Sequence, residues 1–227
     1  MTKSGYLNRQ EIPSIGRGQK QYFYFLKRKS QMIIPEVKDI LKKSSVFRGL
    51  SDSPWHTLAT SKFMSHFEKS AGELKDQVQI VVPIRPRYFR AKVNVVTPQG
   101  RENIILEPDY TQVVKINGEA NLFFVEIVHH TAVINPMASQ SVTRSFRFKM
   151  TKYKALQNTF RKHEIIRTIA NDYKCSFNGF RVLVVTTRGE ENKRNLLACA
   201  KKQGHKKMFY FATMEEVGQG NLFRDSV

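Results

Sequence analysis

The chain has 227 residues, enough for one compact domain with a small appendage, and 41% hydrophobic with 11% aromatic content fills a core and excludes global disorder. Lysine and arginine total 38 against 19 aspartates and glutamates, a net charge of +19 with a pI of about 10.1; so basic a folded chain points to a polyanion, with nucleic acid first. An anionic membrane surface fits less well, because neither end carries a long basic amphipathic helix and no apolar run approaches the roughly 20 residues that span a bilayer.

In chain order, residues 6–26 read as two short strands around the basic loop Gly16-Arg17-Gly18-Gln19-Lys20, with Tyr22-Phe23-Tyr24-Phe25-Leu26 rich in strand formers. Lys27-Arg28-Lys29 extends the basic stretch. Such a hairpin lies along a phosphate backbone or is simply solvated. The N-terminal MTKSGYLNRQEIPS lacks the apolar stretch of a signal peptide, so a cytoplasmic protein is expected. Residues 35–43 suit a short helix opened by Pro35. A longer helix is predicted over 54–71, with Ser53 as N-cap and an apolar face of Trp55, Leu58, Ala59, Phe63, Phe67 and Ala71.

Strands follow over 77–84, 89–97, 103–106, 110–116 and 122–128, then a helix over about 139–161, a strand over 181–186, a helix over 190–202 and a strand over 208–212. The order predicts an α/β fold, a mixed central sheet flanked by helices. Cys175 and Cys199 lack metal-ligand spacing and read as buried thiols of a reducing compartment.

Asn117-Gly118 is a strong signal for a two-residue hairpin turn. That turn sets Val113 opposite Leu122, Thr111 opposite Phe124, and Asp109 opposite Glu126 on the same face. Like charges directly opposite one another are destabilising, and a carboxylate within an apolar strand must be paired, protonated or metal-bound. Two converging carboxylates suit Mg²⁺ or Mn²⁺, which would polarise a phosphodiester and activate water. On the following helix Val142, Phe146, Tyr153, Leu156 and Phe160 form an apolar seam, and Lys149 sits in its gap, able to aim its ammonium at both carboxylates. A buried structural ion pair between Glu126 and Lys149 is the other reading, as is Lys149 reaching out to solvent. Arg144, Arg147, Lys152 and Lys154 flank the seam and suit phosphates. His129 and His130 offer a ligand or a proton shuttle, or are ordinary strand-end residues.

Pro108-Asp109, a hairpin, an apolar strand carrying Glu126, and then a lysine helix resemble the PD-(D/E)xK nuclease pattern. Val128 stands where that pattern has its lysine, and Lys149 would replace it from the helix. The chain further resembles the replication-relaxation family of plasmid and mobile-element proteins. The resemblance runs through Gly16-Arg17-Gly18, His56-Thr57-Leu58-Ala59, Pro108-Asp109, Phe123-Phe124-Val125-Glu126, Lys149 with Tyr153, Phe180–Thr187 and Phe209-Tyr210-Phe211. It implies a restriction-endonuclease-like core over residues 35–227, and over residues 1–34 a basic hairpin like the wing of a winged helix whose recognition helix would lie before Met1. That family usually carries an acidic residue where Val128 stands.

By this reading the chain binds double-stranded DNA in replication or mobilisation of a plasmid or mobile element. Phosphate contacts would come from Arg17, Lys20, Lys27, Arg28, Lys29, Arg144, Arg147 and Lys152. Protein partners of a replication or transfer complex are expected, and a homodimer stays open. An active Mg²⁺- or Mn²⁺-dependent endonuclease or nickase is the alternative, with Asp109 and Glu126 as metal ligands and Lys149 as the third catalytic group. A structural subunit of a nucleoprotein assembly is a third reading, with Tyr22, Phe23, Tyr24 and Phe25 stacking on bases, RNA included.

Overall fold

The computed structural model describes residues 7–12, 21–26, 54–74, 77–84, 89–97, 99–128, 145–204 and 208–219. The basic residues Arg17, Lys20, Lys27, Arg28, Lys29 and Arg144, the histidines His129 and His130, the helix expected over 35–43 and the Ser53 cap lie outside them. The chain divides into two compact units, Met1–Leu58 and Ala59–Val227. In the first, strands β1 (Leu7–Ile12) and β2 (Gln21–Leu26) pair antiparallel, Leu7 with Leu26 and Ile12 with Gln21.

The second unit is an α/β structure around a mixed five-stranded sheet. Its strands are β3 (Val78–Ile84), β6 (Tyr110–Ile116), β7 (Glu119–Val128), β8 (Phe180–Thr186) and β9 (Phe209–Thr213), side by side in that order. β6 runs antiparallel to both neighbours, whereas β7, β8 and β9 are parallel. Parallel strands need crossovers, and helices supply them. Helix α2 (Phe146–Thr159), a 3₁₀ turn (Phe160–Lys162) and α3 (Glu164–Asp172) lie between β7 and β8; α4 (Gly189–Lys202) lies between β8 and β9.

Because side chains alternate along a strand, each strand feeds two cores. Val113, Leu122, Phe124, Val182, Val184 and Phe209 point to one face, which α2, α3 and α4 cover. Tyr110, Val114, Val125, Ile127, Leu183 and Val185 point to the other. There α1 (Pro54–Glu73) presents Ala59, Phe63, Phe67 and Ala71, and α5 (Met214–Gly218) adds Met214 and Val217. Burial on both faces is why these strands read as nearly continuous apolar runs. Leu58, expected on the buried face of α1, is instead 37% exposed. Neighbouring helix positions lie about 100° apart, so a seam stepping by four through residue 59 turns residue 58 outward.

Two strands expected in the sheet stand apart from it. β4 (Ala91–Thr97) and β5 (Gly100–Leu106) pair only with each other and pack on α2. Ala91, Val93 and Val95 face inward while Lys92, Asn94 and Val96 face out, the alternation of a half-buried ribbon. β5 also begins three residues before the expected Asn103, at Gly100, whose φ of 122° a side chain would resist. Helices α3 and α5 were not expected from the sequence. Among the described residues no helix is long and apolar enough to cross a membrane.

Candidate functional site

The site lies where β7 ends and β6 begins. Asn117 and Gly118 take φ values of 51° and 85°, the paired left-handed conformation of a tight hairpin turn. The ladder that follows sets Val113 opposite Leu122, Thr111 opposite Phe124 and Tyr110 opposite Val125. Asp109 comes one residue before the ladder and extends it with its side chain, its Oδ2 accepting the Ile127 backbone N–H at 2.7 Å. The carboxylate therefore takes the place of a backbone acceptor, and this anchors it beside Glu126.

Glu126 shares the face of Leu122 and Phe124, so its carboxyl enters the core under α2 and is 1% exposed. Ser145 caps α2 by accepting the Phe148 N–H at 3.1 Å, which sets Lys149 in the first turn. The Lys149 ammonium donates to Glu126 Oε2 and stands 3.9 Å from Asp109 Oδ2. One turn on, Tyr153 donates its hydroxyl to Glu126 Oε1 at 2.7 Å, while its ring packs against Phe124, Phe180 and Phe209. The hydroxyl's role was missed in the apolar seam. The available signal was Tyr153 standing four residues after Lys149, on the same helix face, since a buried tyrosine hydroxyl needs a partner.

Burial pushes the Glu126 carboxyl up to about 7, with Asp109 adding to the rise while Lys149 and Tyr153 oppose it. Burial works against the Lys149 charge, yet Glu126 and Asp109 outweigh it and hold the ammonium above its ordinary range. Burial and Glu126 raise the Tyr153 phenol well above its ordinary value, so it serves as a neutral donor. Lys152, expected to hold phosphate, is half-buried and lies beside β5. It donates to the Ile105 carbonyl at 3.2 Å and lies 5.5 Å over the Phe148 ring, and burial and Lys149 lower its pKa.

The remaining predicted contact, Arg147, is exposed on α2. Lys154 follows it by seven residues, two helical turns, and is exposed on the same side. Arg161 and Lys162 continue the charge past the end of the helix. Between Phe146 and Lys162 there are six lysines and arginines and no acidic residue. Burial raises the Cys199 thiol of α4, and Arg147 and Lys202 pull against that rise.

No family model, curated protein or solved structure matches this chain.

A divalent ion held by Asp109 and Glu126 would need open oxygens from both, completed by water or phosphate. Glu126 already accepts from an ammonium on one oxygen and a phenol on the other. The Lys149 ammonium stands within reach of both carboxylates. Among the described residues there is no group of three or more histidine, cysteine, aspartate or glutamate side chains that would hold a metal. As placed, the cation between these carboxylates is the Lys149 ammonium.

Proposed function

We propose that this chain binds double-stranded DNA through the basic face of α2, on a restriction-endonuclease-like core that acts as a scaffold. The observation that carries the reading is that face: Arg147, Lys154, Arg161 and Lys162 are exposed in a stretch with no acidic residue to neutralise them. Cations so arrayed contact phosphates, which position a duplex without reading its sequence. The net charge of +19 supports the same partner.

The biological setting we propose is replication or mobilisation of a plasmid or mobile element, on the resemblance to replication-relaxation proteins. The convergence of Asp109, Glu126 and Lys149 at the end of a β-hairpin agrees with that resemblance. On the sequence alone, Arg17, Lys20, Lys27, Arg28, Lys29 and Arg144 belong to the same proposal, the first five as a wing-like basic hairpin.

The test is fluorescence anisotropy with duplex DNA, single strands and RNA over a range of salt, with supercoiled plasmid and Mg²⁺ or Mn²⁺ in parallel. Preferred duplex binding that weakens steeply with salt, without cleavage, is the expected result. Affinity indifferent to salt would sink the reading. Preference for RNA would move it to the structural-subunit alternative. Nicking abolished by Glu126→Gln would move it to the nuclease alternative.

A further inference from the structure

We propose that Lys149 is the resident cation of this site, its ammonium taking the place between Glu126 and Asp109 that a divalent ion would otherwise occupy. The carboxylates converge on one point, and that point holds a nitrogen: Nζ hydrogen-bonds Glu126 Oε2 and lies 3.9 Å from Asp109 Oδ2. Neither carboxylate moves easily to admit another ion. Asp109 is tied to the Ile127 backbone, and the second oxygen of Glu126 is tied to Tyr153. Lys149 is itself anchored, because α2 buries Phe146, Phe148, Met150, Tyr153 and Leu156 around it.

The site carries its own cation. The Lys149 ammonium is paired with Glu126 and stands 3.9 Å from Asp109 Oδ2. A divalent ion added here would meet that ammonium at close range. Removing the Lys149 charge while keeping its chain length reverses the situation: the carboxylates lose their hydrogen-bonded cation, and a vacant position opens that two carboxylates and water can fill with Mg²⁺ or Mn²⁺. The proposal concerns the free protein and stands or falls independently of DNA binding.

The experiment is Mn²⁺ titration of the purified chain, followed by electron paramagnetic resonance and thermal unfolding. It uses wild type, Asp109→Asn, Lys149→Met and the Lys149→Met/Glu126→Gln double variant. Wild type is expected to take up no Mn²⁺ at this site, so Asp109→Asn changes nothing in its titration. Lys149→Met is expected to bind Mn²⁺ saturably, with a rise in Tm of about 3–6 °C that the double variant loses. Folding of Lys149→Met only when Mn²⁺ is present would support the proposal equally. Saturable wild-type binding abolished by Asp109→Asn would overturn it, as would a folded Lys149→Met that takes up no metal. If Lys149→Met does not fold under either condition, the wild-type titration decides alone: uptake that depends on Asp109 overturns the proposal, and its absence upholds it.

Discussion

Tyr153 donates to one oxygen of Glu126 and Lys149, one turn earlier on the same helix, donates to the other, so a single helix face gives each oxygen of a carboxylate buried in the sheet a donor. Burying a carboxylate without partners is costly, and here both partners come from the element packed directly above it.

Tyr153→Phe keeps the ring among Phe124, Phe180 and Phe209 and removes only the hydroxyl. A hydrogen bond to a charged group contributes about 1.5–3 kcal/mol, and its loss leaves Glu126 Oε1 buried without that donor. Urea unfolding at about pH 8.5, where the Glu126 carboxyl is ionised, is expected to show a loss of that size. An unchanged midpoint would mean that the hydroxyl contributes nothing to holding the carboxylate.

The pH dependence has a definite sign. Burial raises Glu126 from 4.5 in the unfolded chain to about 7 in the fold. The stability this carboxyl contributes is therefore complete below about pH 4.5 and lost as pH rises through about 7, on the order of 3 kcal/mol over that window. Glu126→Gln cannot ionise. The stability of wild type relative to Glu126→Gln is expected to fall as pH rises from about 4 to about 8, measured by urea melts at each pH. Parallel curves would refute the raised value.

Arg147→Ala and Lys154→Ala should each flatten the dependence of log affinity on log salt by about 1, since each releases one phosphate contact. Both side chains are exposed, so circular dichroism melts are expected to stay close to wild type. A double variant with the wild-type salt slope would move the DNA contact to another surface.

At the far edge of the sheet, Thr213 ends β9 and caps α5, accepting the Glu216 N–H at 3.1 Å, while Glu216 accepts the Thr213 N–H at 2.7 Å. Thr213→Ala breaks this reciprocal cap and should cost about 1 kcal/mol in thermal or urea unfolding. The DNA-binding salt slope should not change, because α2 supplies the basic face.

What the sequence determined by itself was local. Asn117-Gly118 can form only a few turns, and the turn set the register that brings Asp109 beside Glu126. The helical spacing of Phe146, Tyr153, Leu156 and Phe160 set the buried face of α2 and with it the side on which Lys149 stands. Short-range sterics and periodicity write such relations into a few consecutive residues. Tertiary structure decided the rest. β3 pairs with β6 across an intervening ribbon, and β4 with β5 leaves the sheet to cover α2, because strand partners are chosen by burial over long chain separations. Helices α3 and α5 are nine and five residues long, lengths at which packing against the sheet outweighs intrinsic propensity. The same packing made Tyr153 a ligand of Glu126 and turned Lys152 from the expected phosphate contact toward the Ile105 carbonyl, since a side chain's partner depends on what the fold places opposite it.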